Sequence, residues 1–277
     1  MNIQTMPRGK DSTVVKECFV PKLDAFLWAD YPNIELKLLA FYLESIGHPS
    51  MAEVFRQGAD LHTVTACGVL GLTPDWKAYP QYGISDDQRQ IGKRLNFSIV
   101  YGGGVPTITS QLGITSKEAL NLLKQYHATW PGIGWQTKTR DAADGTLQRI
   151  IQQIVEARTT PDEPGYIKTM YGRHLHPRKV HAALNNLCQG GAADLKKWAM
   201  WRCHQGLTEG GFVSHLVNDI HDELMFDCIT DELLQLNELV PEWMTDPRIE
   251  AVVPIRPECD LSFGTWADKA PFEEVWK

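Results

Sequence analysis

The run SDDQRQIGKRLNFSIVYGGG, Ser85 to Gly104, decides how this chain of 277 residues is read. Arg89, Lys93, Phe97 and Tyr101 recur at every fourth position, and Gly102 to Gly104 follow directly. On an α-helix a four-residue step turns about 400°, so these side chains drift only about 40° per step and share one face. Ile91, Leu95 and Ile99 lie two residues out of phase and form an apolar stripe on the other side. The pattern predicts a helix that packs one side on a core and presents two cations, then two aromatic rings, to a cleft. Ser85 with Gln88 predicts a capping box at its start, and the glycines predict its stop. From Arg89 to Tyr101 the face spans about 18 Å, a length that suits a ligand with phosphates at one end and a flat base at the other. An ordinary amphipathic helix with two solvated cations would show the same period. Two acidic segments elsewhere tip the balance toward a site.

The first is FLWADYPNIELKLLAFYL, residues 26–43. Phe26 to Ala29 predict a short buried strand with Asp30 at its end, and Ile34, Leu38 and Phe41 predict a helix after Pro32. The second is FVSHLVNDIHDELMFDC, residues 212–228. An apolar run from Phe212 to Ile220 is interrupted by His221, Asp222 and Glu223, and strand-like residues resume at Leu224, which predicts a hairpin with Asp222 at its tip. Either aspartate alone reads as a turn or capping residue. Two carboxylates at strand ends also suit a pair of hard divalent cations, which take oxygen ligands and clamp both oxygens of a phosphoryl transfer.

The three segments together resemble the polymerase domain of the family A DNA polymerases, the group of bacterial DNA polymerase I and its phage relatives. ADYPNIELKLLA is similar to motif A, usually DYSQIELR; RQIGKRLNFSIVYG fits motif B, Arg-x3-Lys-x3-Phe-x3-Tyr-Gly, at every defined position; IHDELMF fits motif C. FRQGADLHTVTA resembles the Gly-x-Asp-Ile-His segment, QLGITSKEALNLLKQYHATWPGI the fingers helices, and NNLCQGGAADLKKWAM the stretch ending Gln-Gly-Thr-Ala-Ala-Asp. The order is the family's order over nearly the whole chain.

The resemblance implies an α+β fold: a right-hand polymerase palm, an antiparallel sheet with helices, plus helical fingers, with thumb and exonuclease absent. Residues 1–50 would begin the palm with motif A. Residues 51–165 would form the fingers, closing on the loop TTPDEPG at 159–165, and residues 166–277 would return to the palm with motif C. The implied activity is template-directed DNA synthesis, using primer–template and deoxyribonucleoside triphosphates with two Mg²⁺ ions, Mn²⁺ being an alternative. Asp30 and Asp222 would hold the metals, with the backbone carbonyl of Tyr31 as a further ligand and Glu223 beside the site. Arg89 and Lys93 would grip the triphosphate, Lys93 where charge shifts in the reaction, and His62 would add a phosphate contact. Phe97 would stack near the incoming sugar and base, and Tyr101 and Gly102 would lie under the templating base. Glu35 with Tyr101 would crowd the place of a ribose 2′-hydroxyl. Asn185, Gln189, Arg173 and His221 match positions that touch primer or template.

There are departures. Pro32-Asn33 replace Ser-Gln in motif A, Lys37 stands for arginine with loss of the bidentate fork, Gly191 stands where threonine is common, and His181 where arginine is. Met1 to Arg8 resemble a segment that lies inside the family's palm, and DLSFGTWADK resembles the family ending, with PFEEVWK added. The expectation is the C-terminal part of a split or truncated polymerase, working with a second polypeptide that carries thumb and N-terminal palm. Two other readings differ in class. A non-catalytic DNA- or nucleotide-binding remnant is opposed by the intact Asp30, Asp222, Arg89 and Lys93. A single-subunit RNA polymerase relative is opposed by Glu35 and Phe97.

Composition agrees with a globular chain, at 43% hydrophobic residues. The six cysteines show no paired spacing, which predicts reduced thiols and a cytoplasmic setting, bacterial or in a phage-infected host. His174, His176, His181 and Cys188 match no usual zinc spacing. No apolar stretch approaches the 18 residues of a membrane span, and none predicts a membrane partner. The net charge of −7 is unfavourable for holding phosphates, although basic residues cluster at Arg173–Lys179 and Lys196-Lys197.

Overall fold

The computed structural model describes residues 10–72, 84–134, 145–178 and 182–277; the Met1–Arg8 segment, Lys179 and His181 lie outside them. The strands are β1 (Ala25–Asp30), β2 (Ile167–Lys168), β3 (His174–Leu175), β4 (His215–Ile220), β5 (Glu223–Cys228), β6 (Glu258–Ser262) and β7 (Ala270–Pro271). The helices are α1 (Lys10–Lys16), α2 (Ile34–Ser45), α3 (Ser50–Arg56), α4 (Leu61–Leu70), α5 (Asp86–Val100) and α6 (Val105–Leu112). There follow α7 (Ser116–Thr129), α8 (Leu147–Ala157), α9 (Ala183–Glu209), α10 (Leu233–Met244), α11 (Pro247–Glu250) and α12 (Phe272–Val275). They form two compact units: one comprises the chain through Ile34, Ala192–Glu250 and Ile255–Lys277, the other Glu35–Gly191 and Ala251–Pro254.

The first unit is built on an antiparallel sheet in the order β4-β5-β1-β6-β7. AFLWA, residues 25–29, reads as unbroken apolar residues because β1 is central and covered on both faces. Phe26 and Trp28 join Ile220, Met225, Trp266 and Phe19 on one side, and α10 packs against β1 and β6. The register sets Asp30 opposite Glu223, and the turn joining β4 to β5 holds His221, at φ 55°, and Asp222. The hairpin thus forms as the sequence predicts, with two differences. Glu223 begins β5 rather than lying in the turn. β4 begins only at His215, because the Val213 and Ser214 N–H groups donate to the Glu232 carboxylate, each at 2.9 Å, instead of to a ladder. An irregularity between Leu216 and Asn218 breaks the β4 register and leaves Val217 exposed.

The second unit is helical, with a continuous core from α2 through α9. α5 starts with the predicted capping box: the Gln88 N–H donates to Ser85 Oγ at 3.2 Å and the Ser85 N–H to Gln88 Oε1 at 2.9 Å. It ends at Val100, and Gly102 takes φ 75° directly after the Tyr101 cap. Leu95 and Ile99 are buried as expected, but Ile91 is only half-buried. The hidden side is wider than the apolar stripe and includes Gly92, Asn96, Ser98 and Val100. Gly92 is there because α4 lies so close: a Cβ at this position would stand 2.1 Å from the His62 carbonyl oxygen.

Three of the departures, Asn33, Lys37 and Gly191, have local settings that the structure shows. Asn33 adopts φ 58°, a conformation asparagine tolerates better than most residues, just before α2. Lys37 is buried, with its ammonium 6.0 Å from the centroid of the Phe55 ring. A Cβ on Gly191 would meet Leu38 and the Tyr42 hydroxyl at 3.3 Å each, so a larger residue would require both to yield.

Candidate active site

In the first unit the carboxylates of the two acidic segments meet at one end of the sheet. Asp30 ends β1, Glu223 faces it across the β1–β5 ladder, and Asp222 precedes Glu223 in the turn. The Tyr31 N–H donates to the Asp222 carbonyl at 3.3 Å, which ties the end of β1 to that turn. The Tyr31 ring is fully buried and its hydroxyl donates to the Met244 carbonyl at the end of α10. Burial, then the charges of Asp222 and Glu223, lift the Asp30 carboxyl to about 7, although Lys269 pulls the other way. Glu223 is also raised, by burial first, against the opposing charge of Lys269. Asp30 Oδ1 is buried with no hydrogen-bond donor among the described residues.

These residues fit a hard divalent cation. The donors are oxygens, the anions are costly where they sit, and one buried carboxylate oxygen has no donor among the described residues. Among the described residues no group of three or more His, Cys, Asp and Glu side chains forms a ready-made metal cage.

In the second unit Arg89, Lys93, Phe97 and Tyr101 lie on the side of α5 that is not buried. Phe97 and Tyr101 stack with ring centroids 6.0 Å apart, and His62 from α4 lies 5.7 Å from Phe97. Arg89 is an ion-paired cation: its Nε and Nη2 donate to Asp60 at 2.7 and 2.9 Å. Burial would raise the Asp60 carboxyl, but the Arg89 fork and two bonds from Thr63 outweigh it and hold the group at about 2. Asp60 also caps α4 through the Thr63 N–H at 3.0 Å, so one carboxylate starts that helix and orients the guanidinium of the next. The Tyr101 hydroxyl donates to Glu35 Oε2 at 2.7 Å, joining α2 to the end of α5.

His62 is buried, and burial above all, with Arg89 and Lys93 adding to it and Asp60 opposing, brings it down to about 4. It is therefore neutral near pH 7. Asn96 Nδ2 faces His62 Nδ1 at 3.0 Å. An amide nitrogen only donates, so Nδ1 accepts and the ring proton is on Nε2. Asn96 is backed by the Thr65 hydroxyl at 3.0 Å, which accepts from Trp130 Nε1 at 3.2 Å.

Arg173 Nη2 donates to the Gly190 carbonyl at 2.7 Å, which fixes the turn before β3 to α9 beside exposed Gln189. Asn185 lies one turn earlier on α9, its Oδ1 buried and without a partner among the described residues. Gly102 is exposed in the second unit, and His221 is exposed in the first, next to Asp222. His174 stacks on Tyr166 at 4.2 Å, and the Cys188 thiol is fully buried and raised by burial. All six cysteines are free thiols.

Sequence reading missed Asp60, Asn96 and Lys269. Asp60 was within reach, since it belongs to the Gly-x-Asp segment, but its role there as Arg89's partner is a tertiary contact. Asn96 sits on the apolar side of α5, where a polar residue signals a buried partner.

The family model for DNA polymerase family A matches residues 1–268. The chain is similar to DNA polymerase I of Lactococcus lactis subsp. cremoris (strain MG1363), 32% identical over 279 residues, covering 96% of this chain and 29% of that protein. It is also similar to DNA polymerase I of Geobacillus stearothermophilus, 30% identical over 273 residues, with 96% and 29% covered. The fold resembles that of the POL domain of Pol1 from M. smegmatis, solved in complex with DNA primer–template and dNTP. The TM-score is 0.76 at 24% identity, covering 97% of this chain and 45% of that one. The chain spans about three-tenths of the length of these relatives, 29% in both cases. With the match running through residue 268 of 277, this chain belongs to DNA polymerase family A.

Proposed function

We propose that this chain carries the nucleotidyl-transfer site of a DNA-directed DNA polymerase. The observation that carries the reading is the end of β1: Asp30 has a buried carboxylate oxygen without a donor among the described residues, beside Asp222 in the hairpin turn. Asp30 and Asp222, with the Tyr31 carbonyl, would hold two Mg²⁺ ions, or Mn²⁺. Metal held there would supply positive charge to stabilise the phosphoryl transfer.

The remaining work falls to the side chains. Lys93 and the part of the Arg89 guanidinium not taken by Asp60 hold the triphosphate, and His62, with its proton on Nε2, donates to a phosphate oxygen. Phe97 stacks on the sugar and base. Tyr101, held to Glu35, closes the space a 2′-hydroxyl needs. Asn185, Gln189, Arg173 and Gly102 in the second unit are contacts for primer or template, and so is His221 in the first. Residues 51–165 serve as fingers, and residues 1–50 and 166–277 as palm. The reaction takes place with the DNA, in a bacterial cytoplasm or that of a phage-infected host. Because the chain has a net charge of −7, firm hold on duplex depends on cationic surface beyond these residues, on the same polypeptide or a second one.

The test is primer extension by whichever assembly extends primers. Asp30→Asn and Asp222→Asn are each expected to lower incorporation by about a thousandfold or more without loss of fold, a few kcal/mol of transition-state stabilisation. Activity within tenfold of wild type in both would sink the assignment. Glu35→Ala is expected to raise the ratio of ribonucleotide to deoxyribonucleotide incorporation by about tenfold or more, and an unchanged ratio would remove the Tyr101–Glu35 gate.

A further inference from the structure

Lys269 is the first residue past the stretch that matches the family. It follows the short helical turn Trp266–Asp268 and precedes β7, whose pairing of Ala270 with Leu261 and Pro271 with Asp260 pins it to the sheet. Its ammonium bonds Glu223 Oε2, lies 3.0 Å from Asp260 Oδ2 and sits 5.6 Å from the centroid of the Trp28 ring. Glu223 is the cross-strand neighbour of Asp30, and Asp260 that of Trp28, so the lysine lies on the face of the sheet that carries the acidic end of β1. Its side chain is 22% exposed, and that of Glu223 13%.

Four carboxylates, Asp30, Asp222, Glu223 and Asp260, interact electrostatically here, and among the described residues Lys269 is the cation that acts on both Asp30 and Glu223. We propose that Lys269 is a positioning residue, a resident counter-cation that keeps Glu223 clamped away from the metal-binding carboxylates. It stabilises the metal-free sheet and holds divalent-cation affinity down. The inference rests on the metal reading of Asp30 and Asp222 given above. A fixed positive charge near a dication repels it, and a glutamate released from the clamp adds an anionic oxygen; both effects act in one direction.

The experiment measures Mn²⁺ affinity by electron paramagnetic resonance of the free ion, and thermal unfolding with EDTA or saturating Mn²⁺. Lys269→Met is expected to bind Mn²⁺ about tenfold or more tighter than wild type, to melt lower in EDTA, and to gain more from Mn²⁺. Lys269→Arg is expected to restore both properties, since it keeps the charge. Should Lys269→Met fail to fold, Lys269→Gln, which can still bond Glu223 but carries no charge, is expected to bind Mn²⁺ more tightly in the same way. Unchanged or weaker Mn²⁺ binding in the neutral variants, with wild-type binding abolished by Asp222→Asn, would overturn the role of Lys269 alone. Wild-type binding that survives both Asp30→Asn and Asp222→Asn would overturn the metal reading, and this inference with it.

Discussion

His62 shows how a single residue can be set by neighbours that the sequence keeps far away. A histidine four residues after a glycine in GADLH could serve as a cation for phosphate, yet its burial and the facing amide of Asn96 make it a neutral donor. The consequence is measurable. The folded value is about 4 against 6.5 for the unfolded group, so between these limits the unfolded chain binds a proton that the folded chain refuses. The stability from keeping His62 neutral is fully present above about pH 6.5 and is lost as pH falls toward 4. The shift sets its size at no more than roughly 3 kcal/mol. Urea midpoints between pH 4.5 and 7 should fall more steeply with acid in wild type than in His62→Gln. Parallel curves would show that His62 is not held neutral.

At the scale of elements, the packing of α4 on α5 positions both Asp60 and His62 against the cationic face, and Gly92 permits that packing. Gly92→Ala would improve intrinsic helix propensity, yet the added methyl has no room against the His62 carbonyl and the Ala66 backbone. The clash is expected to win by about 1–3 kcal/mol, lowering the melting temperature and shifting the His62–Asn96 contact. A melting temperature at or above wild type would mean the helices are less tightly apposed. The same helix pair marks what could be read in advance. The start of α5 was legible because Ser85 and Gln88 act within three residues, and its exposed face because a four-residue period is local. β1 and the motif C hairpin were legible because apolar runs and polar turns are local too. The start of β4 was not, since Glu232, on a different element, takes its first two N–H groups. Nor was Lys269, whose partner Glu223 is 46 residues away and adjacent only through the β6–β7 pairing. Periodicity shows which side chains share a face; it does not show which charge is delivered to that face from elsewhere.

For the molecule as a whole, the governing quantity is charge. A net −7 repels a polyanion at long range, so attraction to primer–template has to come from short-range contacts that a few side chains make. Of the proposed primer–template contacts, Asn185, Gln189 and Gly102 carry no charge, and His221 is uncharged in the formal count, which leaves Arg173 as the cation. Its position is fixed rather than loose, because Nη2 is held by the Gly190 carbonyl. Each phosphate neutralised contributes about 0.9 to the slope of log affinity against log salt on duplex. Arg173→Gln is therefore expected to reduce the magnitude of that slope by about one and to weaken binding similarly for unrelated sequences. Asn185→Ala and Gln189→Ala should lower affinity at every salt concentration and leave the slope unchanged, because neutral contacts release no counterions. Fluorescence anisotropy on a labelled primer–template between 50 and 300 mM salt separates the two classes. A slope unaffected by Arg173→Gln would mean that this guanidinium serves only to fasten the turn before β3 onto α9, and that phosphate charge is met elsewhere.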